Sequence, residues 1–192
     1  MSLKVIIIDH NPTRTAELEK AMNEIGHDVV ALLGAGDEIL SAVHRYQPDV
    51  ILIDMALPDR DTLEAMRLIT AEIPRPIVMF AEQSDTQTIH DAIACGVSAY
   101  IVDGLEPRRL RPIMDVAIAR FRAHQDLKNE LQSTRAQLAE RKEVERAKGI
   151  LMRLKQIDEP SAHAAMRKMA MDRNLKLIDI ARTLITAEEL LR

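Results

Sequence analysis

The sequence predicts an α/β fold: a doubly wound domain with a five-stranded parallel sheet, then a long connecting helix and an all-α module of three helices. Three observations predict it. Five short apolar runs alternate with amphipathic segments over roughly the first hundred residues. The stretch 113–148 contains neither proline nor glycine, and helical periodicity continues beyond it in pieces separated by Asp158-Glu159-Pro160 and by Asn174.

The apolar runs are VIII at 5–8, VVALL at 29–33, VILI at 50–53, PIVMF at 76–80 and YIV at 100–102. Uninterrupted rather than alternating, they read as strands buried on both faces, the pattern of a parallel sheet sandwiched between helices. Ligands of such sheets gather at the carboxyl ends of the strands. Three of the strands run out into aspartate there: Asp9, Asp54 and Asp103.

From Pro112 to Lys148 a single helix is expected, roughly 50 Å long at 1.5 Å per residue. Ile113, Ala117, Leu127, Leu131, Thr134 and Leu138 trace an apolar stripe along it, interrupted by Arg120, His124 and Arg141. Such a stripe must be covered, by the preceding domain or by a second copy of the chain. A homodimer is expected, because helix pairing needs no loop that the sequence does not offer.

The last third reads as three helices. The first ends near Leu154, the second runs from Pro160-Ser161 to about Asp172, and the third covers 177–191. At 100° per residue, Val144, Ala147, Leu151 and Leu154 share one face of the first helix, while Lys142, Arg146, Gly149 and Arg153 share the opposite one. Glycine inside a helix costs roughly 1 kcal/mol against alanine. In the apolar seam Gly149 would serve close helix packing; in the basic stripe it leaves bare backbone where a phosphate or a base edge can approach between cations.

Composition narrows the function classes. The net charge of −4 conceals an asymmetry, since 139–182 holds eleven Lys and Arg against seven Asp and Glu and leaves the remainder at −8. An acidic unit is followed by a basic one, the electrostatic footprint of a nucleic-acid surface. Cys95 is the only cysteine, which excludes a disulfide framework and a multi-cysteine zinc site and leaves a small buried hydrophobe. No apolar run approaches the roughly 20 residues of a membrane span, and the opening residues form a strand rather than a signal peptide, so a cytoplasmic protein is expected. The ten methionines read as flexible core filling. The histidines show no ligand spacing, and no Ser/His/Asp arrangement, phosphate loop or general-acid carboxylate pair appears, so no enzyme is expected.

The segments IIIDHNP, PDVILIDMALPDRD, PIVMFA and GVSAYIVDGL, in that order, resemble the receiver domain of two-component response regulators, over residues 1–121. The resemblance implies Asp54 as the phospho-acceptor position and Asp9 as an acidic ligand of Mg²⁺, with both aspartates at the metal. A carboxylate beside a hard cation can attack a phosphoryl group while the cation neutralises the developing charge. Three positions depart from the family: His10 replaces a second acidic ligand, Ala81 a switch hydroxyl, and Asp103 a lysine. Asp103 near Asp54 would repel a phosphoryl group, unless it simply caps the following turn. Either phosphorylation still switches the domain, or the fold is a docking surface controlled by a partner protein and requires no cofactor.

LAERKEVERAKGILM followed by AMRKMAMDRNLKLIDIA resembles the ANTAR domain, a three-helix RNA-binding module of transcription antiterminators, over 138–192, with 122–137 as helical connector. By that resemblance Lys148, Gly149, Arg167 and Arg173 occupy characteristic RNA-binding positions; the wheel adds Lys142, Arg146 and Arg153. His163 departs from a usual aromatic, and the module holds no Phe, Tyr or Trp, so affinity must lean on charge. The whole chain resembles the NasT-like regulators of nitrate and nitrite assimilation. This implies binding of leader RNA with tandem hexaloop hairpins, antitermination, and restraint by a nitrate or nitrite sensor protein. The alternative is a phosphorylation-switched regulator with DNA output, although the third helix is too apolar to read bases readily.

Overall fold

The computed structural model describes residues 2–9, 11–34, 38–55, 60–82, 85–102 and 107–190 of the 192. They form two compact units, 1–125 and 126–192.

The first unit runs β1 (Lys4–Asp9), α1 (Pro12–Glu24), β2 (Asp28–Leu33), α2 (Ile39–Tyr46), β3 (Val50–Met55), α3 (Arg60–Glu72), β4 (Ile77–Ala81), α4 (Thr86–Ala94) and β5 (Ala99–Val102). All strand pairs are parallel, in the order β2-β1-β3-β4-β5. The expected sheet is present, and each apolar run lies within a strand, except that Pro76 immediately precedes β4. β3 and β4 are buried throughout and β1 is buried beyond Lys4, whereas the edge strands β2 and β5 are mostly half-buried. The strand order reverses between β1 and β3, the switch point at which such sheets open a crevice at their carboxyl edge.

Side chains alternate across the sheet. Ile6, Ile8, Ile51, Ile53 and Met79 pack with Val43, Met66, Ile69 and Ala92 of α2, α3 and α4. Val5, Ile7, Val50, Leu52 and Phe80 face the other way, onto Leu18 and Met22 of α1 and onto Leu110, Met114 and Ala117 of the helix that follows β5. Gly96, just beyond α4, has φ +100°, and a Cβ there would collide with Thr70, so only glycine serves. Cys95 caps α4 and is half-buried rather than sealed in the core; burial pushes its thiol pKa up.

That following helix, α5 (Pro107–Lys155), is one element of 49 residues. It starts five residues before Pro112, where the sequence had placed its beginning. Proline inside the second turn removes one backbone hydrogen bond, and the burial of Leu110, Met114 and Ala117 around it holds the turn in place. The apolar stripe divides accordingly: Ile113 and Ala117 belong to the core of the first unit, whereas Leu127, Leu131 and Leu138 are about half or more exposed.

In the second unit α5 ends at Lys155, and Gln156 takes a left-handed φ of 54°. α6 (Glu159–Arg173) is opened by Asp158, whose carboxylate accepts from the Ser161 N–H at 3.0 Å, with Pro160 in the first turn. Asn174, left-handed at φ 52°, closes it, and the Leu175 N–H returns to the Ala170 carbonyl at 2.9 Å. α7 (Leu177–Leu190) follows. The core is Ala147 and Leu151 of α5, Ala162, Met166 and Ala170 of α6, and Ile178, Ile180 and Ala181 of α7. Leu154, expected in the apolar seam, is 66% exposed and lies in the last turn of α5, outside the packed core of the module. Among the described residues no helix is long and apolar enough to cross a membrane.

Candidate functional site

The carboxyl edge of the sheet gathers an acidic pocket around one arginine. Asp9 and Asp54 are register partners on β1 and β3, so their side chains point to the same face, that of α1 and α5. Both are buried. The chain then turns tightly: the Asp9 Oδ1 accepts from the Asn11 N–H at 2.8 Å, Asn11 caps α1 by accepting from the Thr13 N–H at 3.1 Å, and Pro12 is the first helical residue. Arg14 is therefore fixed in the first turn of α1. It heads the stripe continued by Leu18, Ala21 and Met22, so it reaches over the sheet edge instead of into solvent.

There the guanidinium grips Asp54 with two nitrogens. Nε donates to Oδ2 at 3.1 Å, and Nη2 donates to Oδ1. Nη1 donates to Glu82, just after β4. Asp54 holds the Arg14 pKa above its ordinary value. For Asp54 the net shift is upward: burial is the largest cause, the Arg14 hydrogen bonds oppose it, and the charges of Asp9 and Glu82 reinforce it. Ala81 ends β4, fully buried and without a hydroxyl. His10 and Asp103 lie outside the described residues.

The receiver family commonly uses Mg²⁺ at this site, and the pocket as arranged does not fit the ion. Both Asp54 oxygens accept from Arg14, and one Asp9 oxygen accepts from backbone. Only Asp9 Oδ2 remains, buried and unpartnered. Among the described residues no three His, Cys, Asp or Glu side chains gather as a metal set. Mg²⁺, which keeps several waters and is held by one or two carboxylates, finds among the described aspartate oxygens only Asp9 Oδ2 free, with a guanidinium already on both oxygens of Asp54.

The second unit carries the basic face. Lys142, Arg146 and Arg153 are exposed on α5, with Gly149 among them. A Cβ at Gly149 would meet nothing nearer than the Arg153 Nη1 at 3.9 Å. Among the described residues nothing else packs against this backbone closely enough to require glycine. α7 reaches the same face: Arg146 donates to Glu189 at 2.7 Å, Arg153 to Glu188 at 3.2 Å, and Arg182 to Glu143 at 2.7 Å. Lys142, Arg146, Arg182, Ile185 and Thr186 line a groove of about 470 Å³ between α5 and α7.

Lys148 sits elsewhere. Its side chain is 10% exposed, with the stem covered and the ammonium held by Glu145 at 2.8 Å and Glu159 at 2.7 Å. This pairing raises the lysine pKa and lowers that of Glu159. The lysine expected beside Gly149 on RNA is thus occupied in joining α5 to α6. The signal was in the helical wheel, where position 148 falls about 40° from Val144, on the flank of the apolar seam, and about 100° from Gly149. Arg167 lines a second groove of about 520 Å³ with His163, Met171 and Asn174, and Arg173 is exposed at the end of α6. Sequence reasoning missed Arg182, which only the packing of α7 brings to the basic face, and Arg14, whose one sequence signal is a charge heading an apolar stripe.

Comparison with known proteins places both units. A transcriptional regulatory protein from Mycobacterium tuberculosis, PdtaR, is 29% identical over 182 residues, covering 95% of this chain and 89% of the relative. The DNA-binding response regulator MtrA of Mycolicibacterium smegmatis is 28% identical over 123 residues, 64% of this chain and half of that protein. The fold of the first unit is shared with the signal receiver domain of a modulated diguanylate cyclase from Desulfovibrio desulfuricans, at TM-score 0.57 and 21% identity over 65% of this chain and 99% of that one. A LuxR-family response regulator from Aurantimonas gives TM-score 0.55 and 21% identity over 62% and 86%. Residues 5–115 match the response regulator receiver domain and residues 132–185 the ANTAR domain, so the chain belongs to the response regulators that join an N-terminal receiver to a C-terminal ANTAR module.

Proposed function

We propose that the chain is a transcription antitermination regulator that binds leader RNA on the α5 face built by Lys142, Arg146, Gly149 and Arg153, with Arg182 at its edge. The observation that carries this reading is the glycine: a helix interior accepts a residue costing roughly 1 kcal/mol at a place where the protein itself leaves the space open. Arginines on either side can bridge phosphates or stack on a splayed loop base. Arg167 and Arg173 add contacts from α6, while Lys148 shapes the module from within. The RNA we assign is a leader with tandem hexaloop hairpins, in nitrate or nitrite assimilation.

Control runs through the receiver (1–121), by a partner sensor protein docking on it in the cytoplasm, with 122–137 as connector and 138–192 as the RNA-binding module. The exposed Leu127, Leu131 and Leu138 of α5 support a homodimer through this helix. DNA output draws no support from MtrA, since that likeness spans only half of the relative.

The test is a titration of the purified chain against such a leader RNA and against the same RNA with scrambled loops, at two salt concentrations. The expected result is loop-specific binding, lost in Arg146→Ala/Arg153→Ala, with log K falling by about 0.7 per phosphate contact per decade of salt. Equal binding to both RNAs, or a flat salt profile, overturns the reading.

A further inference from the structure

The receiver pocket contains its own cation, and its place is set by covalent and packing constraints rather than by chance pairing at a surface. Asn11 and Pro12 fix where α1 begins, and Leu18, Ala21 and Met22 fix its rotation, so Arg14 can point only across the carboxyl edge of β1 and β3. There it meets two aspartates that are register partners, a pair of like charges buried side by side. An unpaired buried carboxylate is costly, and two together more so. In a receiver the usual remedy is a divalent ion; here the guanidinium occupies the Asp54 oxygens that such an ion would take.

We propose that Arg14 replaces the divalent cation as the resident positive charge of this pocket, so that the receiver holds its acidic cluster together without Mg²⁺. The chemistry favours arginine for this role. Its planar fork matches a carboxylate with two parallel hydrogen bonds, its charge is permanent, and it sheds water more readily than a compact ion. Its third nitrogen ties in Glu82, so one side chain joins α1, β3 and the end of β4. The carboxylate that would attack a phosphoryl group is at the same time engaged as a double acceptor.

The experiment uses the full chain, labelled with ¹⁵N, and reads backbone amides during titration with Mg²⁺ and with substoichiometric Mn²⁺ as a paramagnetic probe. In the wild type, the amides of Asp9, Asn11, Asp54 and Met55 are expected to keep their intensity under Mn²⁺ and to show no saturable shift with Mg²⁺. In Arg14→Gln the same amides are expected to broaden, with affinity for Mg²⁺ raised by about tenfold or more. Saturable binding at those amides in the wild type overturns the proposal. So does silence in both proteins, because Arg14 would then not be what keeps the ion out. Should Arg14→Gln fail to fold, Arg14→Lys retains the charge but loses the fork and is expected to gain measurable Mg²⁺ affinity; absence of any gain overturns the proposal equally.

Discussion

The ammonium of Lys148 donates to Glu159 at 2.7 Å, joining α5, near its end, to the first residue of α6. A second carboxylate, Glu145, holds it from one turn back at 2.8 Å. The pair sits at the corner where the two helices meet, so its effect should appear as helix docking rather than as ligand affinity. Lys148→Ala, which removes both stem and charge, is expected to lower the melting temperature more than Lys148→Met, which keeps the stem. Thermal melts followed by circular dichroism order the two. RNA affinity of Lys148→Met should fall less than that of Arg153→Ala; the reverse order would return Lys148 to the RNA interface.

Acid should loosen α6. The Asp158 pKa is depressed by its capping hydrogen bonds to Ser161, and that of Glu159 by Lys148. A carboxyl depressed in the folded state binds fewer protons than in the unfolded state, so its stabilisation is complete above the ordinary carboxylate range. It is lost as pH falls below about 4 through the depressed values. Burial of Asp54 acts with the opposite sign in the first unit, since a raised pKa gives stability that is lost as pH rises through it. Hydrogen exchange at α6 amides between pH 6 and pH 3 isolates the effect. Asp158→Asn should flatten it, and an unchanged profile would dismiss the capping account.

Gly149→Ala separates stability from function. The new methyl enters open space, so the second unit should gain up to about 1 kcal/mol, seen as a higher melting temperature. RNA affinity should fall at the same time, because the methyl stands where the ligand backbone would approach. A stabilised protein with undiminished affinity would leave the glycine without a role in RNA binding.

Arg14 and Asp54 should be energetically coupled. Arg14→Ala leaves the buried Asp54 without its guanidinium partner, at a cost of about 1–3 kcal/mol. Asp54→Asn/Arg14→Ala should cost less than the sum of the two single changes, with a coupling of about 1 kcal/mol or more. Urea unfolding of the four proteins measures it, and additivity would mean that the pair contributes nothing specific.

The exposed leucines of α5 predict the oligomeric state. Leu131→Glu/Leu138→Glu should convert a dimer to a monomer in light scattering coupled to size exclusion, with the helical signal per residue largely kept. A wild type that is already monomeric removes the dimer reading.

What the sequence by itself determined is whatever depends on near neighbours along the chain. Short runs such as VILI, spaced between amphipathic segments, read as strands buried on both faces, Asp158 with Pro160 opens a helix, Asn174 closes one, and the phase of Lys142, Arg146, Gly149 and Arg153 makes a basic stripe. Even the withdrawal of Lys148 to the core side was legible, since it lies four residues after Val144 and three before Leu151. Arg14 was only half legible. The stripe of Leu18, Ala21 and Met22 shows that it faces the sheet, but its partner is 40 residues away, and nothing local says which strand lies beside β1. The receiver resemblance already set Asp9 and Asp54 at one site, but only the tertiary structure decided that Arg14 reaches across β1 to take both oxygens of Asp54. The same holds for Arg182 and the carboxylates of α7. The physical reason is that helix and strand periodicity are local properties of the backbone, whereas the partner of a charged side chain is chosen by how whole elements pack.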